Sequence, residues 1–173
     1  MKKYLPTHSI KTLVSTFVLS RLDYCNSLLA GLPDTQIKRL QIVQNRAARV
    51  VLGITRPDST STKDMLISLH WLPVRARIDY KIALFCFNAL NSRSPDYITD
   101  LITPYAPIRH LRSSDSHLLK EPYTNLVNYG NRAFCKFGPL VWNSLPLSLR
   151  LAGSEIMFKK QLKTYLFTKY LLD

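Results

Sequence analysis

The chain has 173 residues, and 24 Lys and Arg against 11 Asp and Glu give it a formal net charge of +13 at pH 7. With 46% apolar residues it can bury the core of one domain or two small ones, and its cationic excess favours a polyanionic partner, nucleic acid before anionic membrane. The three cysteines, Cys25, Cys86 and Cys135, lie far apart in apolar surroundings, which argues against disulfides and for buried, unreactive thiols in a reducing intracellular compartment.

The first predicted helix covers about residues 7–30, because apolar side chains recur along it at intervals of three and four. Thr7 or Ser9 could cap its start through a hydroxyl that accepts from the free amides of the first turn. Gly31 and Pro33 end it. The apolar stripe consists of Ile10, Leu13, Val14, Phe17, Val18, Leu22, Cys25, Leu28 and Leu29.

A second helix is predicted to open at Asp34 or Thr35 and to end before Gly53. The connection before it is short, so the two helices should be neighbours. Its predicted apolar stripe consists of Ile37, Leu40, Val43, Ala47, Val50 and Val51.

The cations of this second helix give the clearest indication of a function. On a helical wheel Arg39 and Arg46 lie almost in line, and Lys38 and Arg49 flank them. Ile42 lies between them and could contact a sugar or a base. Such a stripe can follow a phosphate backbone, whereas the simpler interpretation is a solvated helix face, since Lys and Arg are good helix formers. The overall charge and the absence of nearby acids favour nucleic-acid contact.

Three further helices are predicted in the middle of the chain. The first covers about residues 62–69, with Ser61 or Thr62 as its cap, and the His-Trp-Leu-Pro sequence at 70–73 breaks it. A longer helix covers about 74–90. A short one follows at about residues 96–102.

The remainder is predicted to be irregular and then helical. Periodicity is lost over residues 103–129, where Leu118, Leu119 and Tyr123 could form a short strand. Order returns in the segments 132–134 and 138–146. A last amphipathic helix covers about residues 154–170, with Phe158, Leu162, Leu166 and Tyr170 on one side. Its lysines form a second candidate patch for nucleic acid, consisting of Lys159, Lys160 and Lys163. The helix could instead lie on a membrane surface or in a groove of a partner protein.

Residue patterns typical of enzymes are scarce in this sequence. No Asp-Asp pair occurs, and Asp96 and Asp100, one helical turn apart, are better explained as a cap and a first-turn acid. The histidines and cysteines do not have zinc-ligand spacing, and no phosphate-binding glycine loop appears. We therefore expect no catalytic residues, metal, cofactor or small-molecule substrate in this chain. Trp71 and Trp142 lie in apolar turns, which favours core anchoring over base stacking.

Several short segments together resemble a known family. They are SRLDYCNSLL at 20–29, GLP at 31–33, LQIVQNRAAR at 40–49, LHWLPV at 69–74, RI at 77–78, LRSS at 111–114, WNSLP at 142–146 and FKKQLK at 158–163. In this order and spacing they resemble the region after the palm in the reverse transcriptase of jockey-like LINE (non-LTR) retrotransposons. The resemblance covers nearly the whole chain.

The resemblance implies a mostly α fold, with a thumb-like helical hairpin over residues 1–56 and a post-thumb region over 57–173, irregular and short-stranded around 103–140. The thumb would grip a template–primer duplex, and the extension would contact element RNA or target DNA. The parent protein would be an RNA-directed DNA polymerase that uses Mg²⁺, with its catalytic acids upstream.

The partners expected from the resemblance are therefore RNA, an RNA–DNA hybrid or DNA, in the cytoplasm or nucleus. Residues such as Val18 and Leu28, which the palm would cover, could mediate self-association. No run reaches the roughly 18 apolar residues of a membrane span, so a soluble chain is expected. Two alternatives stay open: a helical protein-interaction domain and a non-functional remnant of the element.

Overall fold

Helices make up most of the chain in the computed structural model, which describes residues 5–55, 60–106, 117–124 and 130–173. No strand forms within these ranges. The prediction of a mostly α fold is therefore confirmed.

Contacts divide the chain into two compact units. The first comprises residues 1–78 and 166–173, and the second comprises residues 79–165. The helix at 62–69 and the start of the next helix belong to the first unit, together with residues 1–56. The described elements of the first unit are α1 (Thr7–Val14), a π-helical turn (Ser15–Leu19), α2 (Ser20–Asp23), a 3-10 turn (Asn26–Leu29), α3 (Asp34–Leu52), α4 (Thr62–Leu69), the start of α5 (Val74–Leu90) and the end of α9 (Glu155–Leu171).

The first helical segment is shorter than the predicted helix over 7–30. It ends at Asp23, because Tyr24 is extended and Cys25 adopts the left-handed conformation with φ of 50°. The residue before α1 is Pro6, and no side chain caps the helix. The predicted caps, Thr7 and Ser9, are therefore wrong.

The π-helical turn determines which side chains of this segment are buried. The N–H of Ser20 donates to the carbonyl of Ser15, five residues earlier, so this turn holds one residue more than an α-turn. Ile10 and Leu19 are nine positions apart, and at about 100° per residue a regular α-helix would put them on opposite sides. The wider turn rotates Leu19 back, and both are buried in one core cluster.

The core of the first unit joins this segment to α3, α4 and the end of α9. Phe167 packs against it, and the Phe167 ring stacks on His70 at 5.9 Å. The buried members are Ile10, Leu19, Ala47, Ala48, Val51, Met65, Leu66, Leu69, Trp71 and Leu171.

The helix boundaries predicted around α3, α4 and α5 are confirmed. Gly53 ends α3 with φ of 68°, and its N–H donates to the carbonyl of Arg49. The Ser61 hydroxyl caps α4 by accepting from the N–H of Lys63 at 3.2 Å. His70 ends α4 in the left-handed conformation.

The helices of the second unit pack around a cluster of buried aromatic side chains. Phe158 is fully buried between two aromatic rings, stacked on Phe87 at 4.3 Å and tilted against Trp142 at 5.9 Å between ring centroids. The described elements are the rest of α5, α6 (Asp96–Thr99), a 3-10 turn (Gly130–Arg132), α7 (Phe134–Asn143), α8 (Leu147–Arg150) and most of α9. Compared with the predictions, α6 is shorter than 96–102, and α9 agrees within a residue.

The irregular segment of the second unit is anchored to α7 by two neighbouring side chains. Trp142 donates its indole N–H to the carbonyl of His117 at 2.9 Å. Asn143 accepts from the N–H of Leu119 and donates to its carbonyl, both at 2.9 Å. Leu119 also forms an isolated antiparallel bridge with Pro104, at the position where a short strand was expected.

The π-helical register predicts unequal effects of two neighbouring substitutions. Leu19→Ala should lower the free energy of unfolding by about 3 kcal/mol, because it leaves a cavity in the core. Phe17→Ala should cost less than about 1 kcal/mol, because the Phe17 side chain is 69% exposed. Urea unfolding followed by circular dichroism measures both. Equal losses would contradict the register, since a regular α-helix turns Leu19 away from Ile10.

Candidate nucleic-acid interface

The rotation of α3 about its axis is determined by a buried amide. Gln44 is fully buried, and its Nε2 donates to the carbonyl of Leu72 at 2.8 Å. Its Oε1 accepts from Gln41 at 2.9 Å, and the Oε1 of Gln41 in turn accepts from the N–H of Val74 at 2.9 Å. Both glutamines therefore face the turn between α4 and α5.

The opposite side of α3 carries the predicted cations. Lys38, Arg39 and Arg46 are exposed, and in the described part of the chain none of them forms an ion pair. Ile42 lies between them and is also exposed. After Asp34, which pairs with Arg75 at 2.7 Å, α3 has no acidic residue. The outer face of α3 is therefore a stripe of positive charge that forms no ion pair with any carboxylate of the described residues.

Arg49 differs from the other three cations. Its side chain is half-buried, and its Nε is withdrawn from solvent without a hydrogen-bond partner among the described residues. Arg49 is therefore less accessible to a phosphate than Arg39 or Arg46.

The apolar stripe predicted for α3 is partly wrong. Val43 and Val50 were expected in the core but are 43% and 48% exposed, whereas Gln44 and Ala48 are fully buried. The reason is the pairing of Gln44 with the Leu72 carbonyl, which turns the helix so that its core face centres on Gln44 and Ala48.

An open apolar groove runs between α3 and the segment formed by α1 and the π-helical turn. We call it the α1–α3 groove, and it has a volume of about 540 Å³. The sequence did not indicate it, because its residues had been assigned to two buried stripes. Its lining residues are Ile10, Leu13, Val14, Phe17, Val18, Val43, Arg46, Ala47 and Val50.

The lysines of α9 are less uniform than those of α3. Lys159 pairs with Glu155 at 2.6 Å, and this hydrogen bond raises the pKa of Lys159 and lowers the pKa of Glu155. Glu155 also lies 3.5 Å from Arg93. Lys160 and Lys163 are exposed and have no ion pair among the described residues. Part of the charge of this patch is therefore already neutralised.

Four of the segments that carry the family resemblance meet in one polar network of the first unit. Arg77 donates to both carboxylate oxygens of Asp23, at 2.7 and 3.0 Å, and its Nε donates to the carbonyl of Leu72 at 2.8 Å. The same carbonyl accepts from Gln44. Segments 20–29, 40–49, 69–74 and 77–78 are thus joined by hydrogen bonds. The LRSS segment lies outside the described residues.

The three cysteines differ in exposure. Cys86 is buried, and burial raises the pKa of its thiol to about 12. Cys135 is half-buried, whereas Cys25 is exposed, so the expectation of three buried thiols is wrong for Cys25. Cys25 is exposed because the chain turns there in the left-handed conformation instead of continuing a helix. Trp71 and Trp142 are both buried, as predicted.

The described ranges contain no cluster of three or more His, Cys, Asp or Glu side chains that could bind a metal ion. Among the helices described, none has the length and apolarity needed to cross a bilayer.

Comparison of the chain with family models, curated proteins and solved structures found no match.

Gln44→Ala should lower the free energy of unfolding by about 2 kcal/mol or more. The substitution removes a fully buried side chain and leaves polar groups of Gln41 and Leu72 with fewer partners. Gln36→Ala, at an exposed position of the same helix, is the matched control and should cost less than about 0.5 kcal/mol. Urea unfolding measures both. Similar losses would mean that the Gln44 amide does not orient α3.

Thiol labelling at pH 8 should distinguish the cysteines. Because the pKa of Cys86 is raised to about 12, its thiolate is present at a fraction on the order of 10⁻⁴ at this pH. In the folded protein an alkylating dye should modify Cys25 first and reach Cys86 only after unfolding in urea. Cys25→Ser should remove the fastest phase. Rapid labelling of Cys86 in the folded chain, detected by peptide mass, would contradict its burial.

Proposed function

We propose that this chain is a non-catalytic nucleic-acid-binding module, derived from the region after the palm of a jockey-like LINE reverse transcriptase. The observation that carries the proposal is the exposed stripe of Lys38, Arg39 and Arg46 on α3. The ligand would be an RNA–DNA hybrid, structured RNA or DNA, held through its phosphates. No polymerisation by the isolated chain is part of this proposal, since no pair of catalytic acids is available to it.

The spacing of the stripe suits a phosphate backbone. Arg39 and Arg46 are seven residues apart, or roughly 10 Å along the helix axis. Along the axis of a duplex each strand carries one phosphate per about 3.4 Å, so an α3 lying parallel to that axis would place the two guanidinium groups about three base-pair steps apart. Lys38 extends the contact on the adjacent side. Such binding depends on the backbone and is expected to tolerate changes of sequence.

The rotation of α3 supports a role for these side chains at the surface. Gln44 holds the opposite face of the helix against the turn before α5. The cations of the stripe therefore project into solvent from a helix whose orientation is fixed. A cation on a fixed helix loses less conformational freedom on binding than one on a mobile loop. The net charge of +13 adds a long-range attraction for a polyanion.

A smaller contribution is expected from α9. Lys160 and Lys163 are free to approach a phosphate, whereas Lys159 is held by Glu155. We therefore expect the α9 lysines to strengthen binding without determining it. Arg49 should also contribute less than Arg39 and Arg46, because it is half-buried.

The combined substitution Lys38→Ala, Arg39→Ala and Arg46→Ala should weaken binding to a fluorescent RNA–DNA hybrid by about tenfold or more. The reason is the loss of phosphate contacts, each of which contributes about 0.9 to the slope of log affinity against log salt. Fluorescence anisotropy between about 50 and 200 mM KCl measures the affinity and the slope. All three side chains are exposed, so circular dichroism should show an unchanged fold.

The matched control removes the same charge elsewhere, through Lys11→Ala, Lys63→Ala and Lys120→Ala at exposed positions. It should weaken binding much less. Equal weakening by the two triple variants would show that binding follows net charge and not the α3 stripe. An affinity of the wild-type chain that does not change with salt would contradict the proposal as a whole.

A further inference from the structure

The α1–α3 groove is an exposed apolar surface that the proposed function does not use. Phe17 is 69% exposed and Leu13 42% exposed on one wall, and Val43 and Val50 are exposed on the other. Apart from Arg46, every lining residue is aliphatic or aromatic. A groove of this kind keeps apolar surface in contact with water until a partner covers it.

The form of the groove suits a helix. Both walls are helical, and the lining residues on the first wall extend from Ile10 to Val18, roughly 12 Å along the axis. That length corresponds to about two turns, which is the span of the i, i+3, i+4 and i+7 side chains of an amphipathic helix. A bilayer surface is flat and would leave the floor of this groove uncovered.

The charge around the groove selects the partner. The wall from Thr7 to Leu22 has no acidic residue, nor does the wall formed by residues 35–52. The nearest acids in the sequence, Asp23 and Asp34, are already paired with Arg77 and Arg75. The cations carried by the two walls are Lys11, Arg21, Lys38, Arg39, Arg46 and Arg49.

This charge disfavours a second copy of the chain as the occupant. A symmetric dimer through the groove would bring the same cations of two chains together. An acidic helix would instead place carboxylates opposite two arginines of α3. Arg46 lines the groove, and Arg39 lies two turns earlier on the same face of α3. Opposite charges along the rim accelerate association and fix the orientation of the bound helix.

We propose that the α1–α3 groove docks an acidic amphipathic helix of a partner protein. The helix places an aliphatic stripe between Phe17 on one wall and Val43 and Val50 on the other, and it sets carboxylates against Arg46 and Arg39. This is a protein-binding function in addition to the proposed contact with nucleic acid, and the two share the arginines of α3.

The test uses the full chain and three synthetic helical peptides labelled with a fluorophore. The first has leucines on one stripe and glutamates elsewhere, the second replaces every glutamate by lysine, and the third keeps the composition of the first but scrambles the leucine positions. Anisotropy should show saturable binding of the first peptide, and binding of the other two weaker by about tenfold or more. Equal binding of the scrambled peptide would overturn the proposal, because it would show charge attraction without docking.

Variants locate the binding surface. Phe17→Ser combined with Val43→Ser should weaken binding of the acidic peptide by about tenfold or more, and Arg46→Glu should weaken it as well. Leu28→Ser is the matched control, since Leu28 is 73% exposed and does not line the groove. Unchanged affinity of the double variant, with its fold verified by circular dichroism, would overturn the proposal.

Two further outcomes would assign the groove to another occupant and overturn the proposal. One is a concentration-dependent dimer, measured by sedimentation, that Phe17→Ser abolishes. The other is binding to vesicles with anionic lipids that the same variant abolishes, without binding of the acidic peptide. The proposed function is tested separately, because the Phe17→Ser, Val43→Ser variant keeps the exposed cations of α3 and should bind the RNA–DNA hybrid with unchanged affinity.

Discussion

A buried amide costs free energy unless it is hydrogen-bonded, and Gln44 forms a hydrogen bond through its nitrogen and another through its oxygen in the observed orientation of α3. Its Nε2 donates a hydrogen bond to the Leu72 carbonyl, and its Oε1 accepts one from the Nε2 of Gln41. Rotating α3 by one residue would break the bond from Gln44 to Leu72, whereas the bond between Gln41 and Gln44 lies within the helix and would turn with it. The exposed cations and the open groove both follow from this orientation, since they lie on the sides of the helix that Gln44 leaves to solvent.

The residues that carry the family resemblance are mostly structural in this protein. Gln44 and Arg77 converge on the carbonyl of Leu72, while Trp142 and Asn143 hold the backbone of residues 117–119. Side chains with these tasks specify a fold and supply no chemistry of their own. The basic stripe is different, because in the described part of the chain Arg39 and Arg46 are exposed and form no ion pair. A function is therefore better sought in this stripe, to which the segment 40–49 contributes Arg46.

The sequence predicted the helices where local signals are strong. Gly53, Ser61 and His70 mark helix ends that the structure confirms, because caps and left-handed residues act within one turn. It failed where the outcome depends on distant partners. Gln44 resembles a surface residue until the Leu72 carbonyl, 28 positions away, is known to face it.

The π-helical turn could not be predicted from the sequence, because it too depends on tertiary contacts. Leu19 does not fit the intervals of three and four residues that mark one face of a regular α-helix, and no neighbouring residue indicates a wider turn. The stripe inferred for residues 7–30 therefore omitted Leu19 and counted Phe17 as buried, although Phe17 is largely exposed. Three of the four cations predicted for α3, Lys38, Arg39 and Arg46, lie on an exposed face, but the position of this face beside an apolar groove depends on the rotation of the helix. Charge and periodicity thus identified the basic stripe, whereas the groove required tertiary contacts.

The first unit is discontinuous in the chain, and this affects how it can form during synthesis. Leu171 belongs to its core cluster, and Phe167 packs on that core and stacks on His70. A ribosome makes residues 166–173 only after the entire second unit, so the earlier helices must wait with part of their core uncovered. During that interval the apolar side chains that Leu171 and Phe167 will cover are accessible to chaperones or to neighbouring nascent chains.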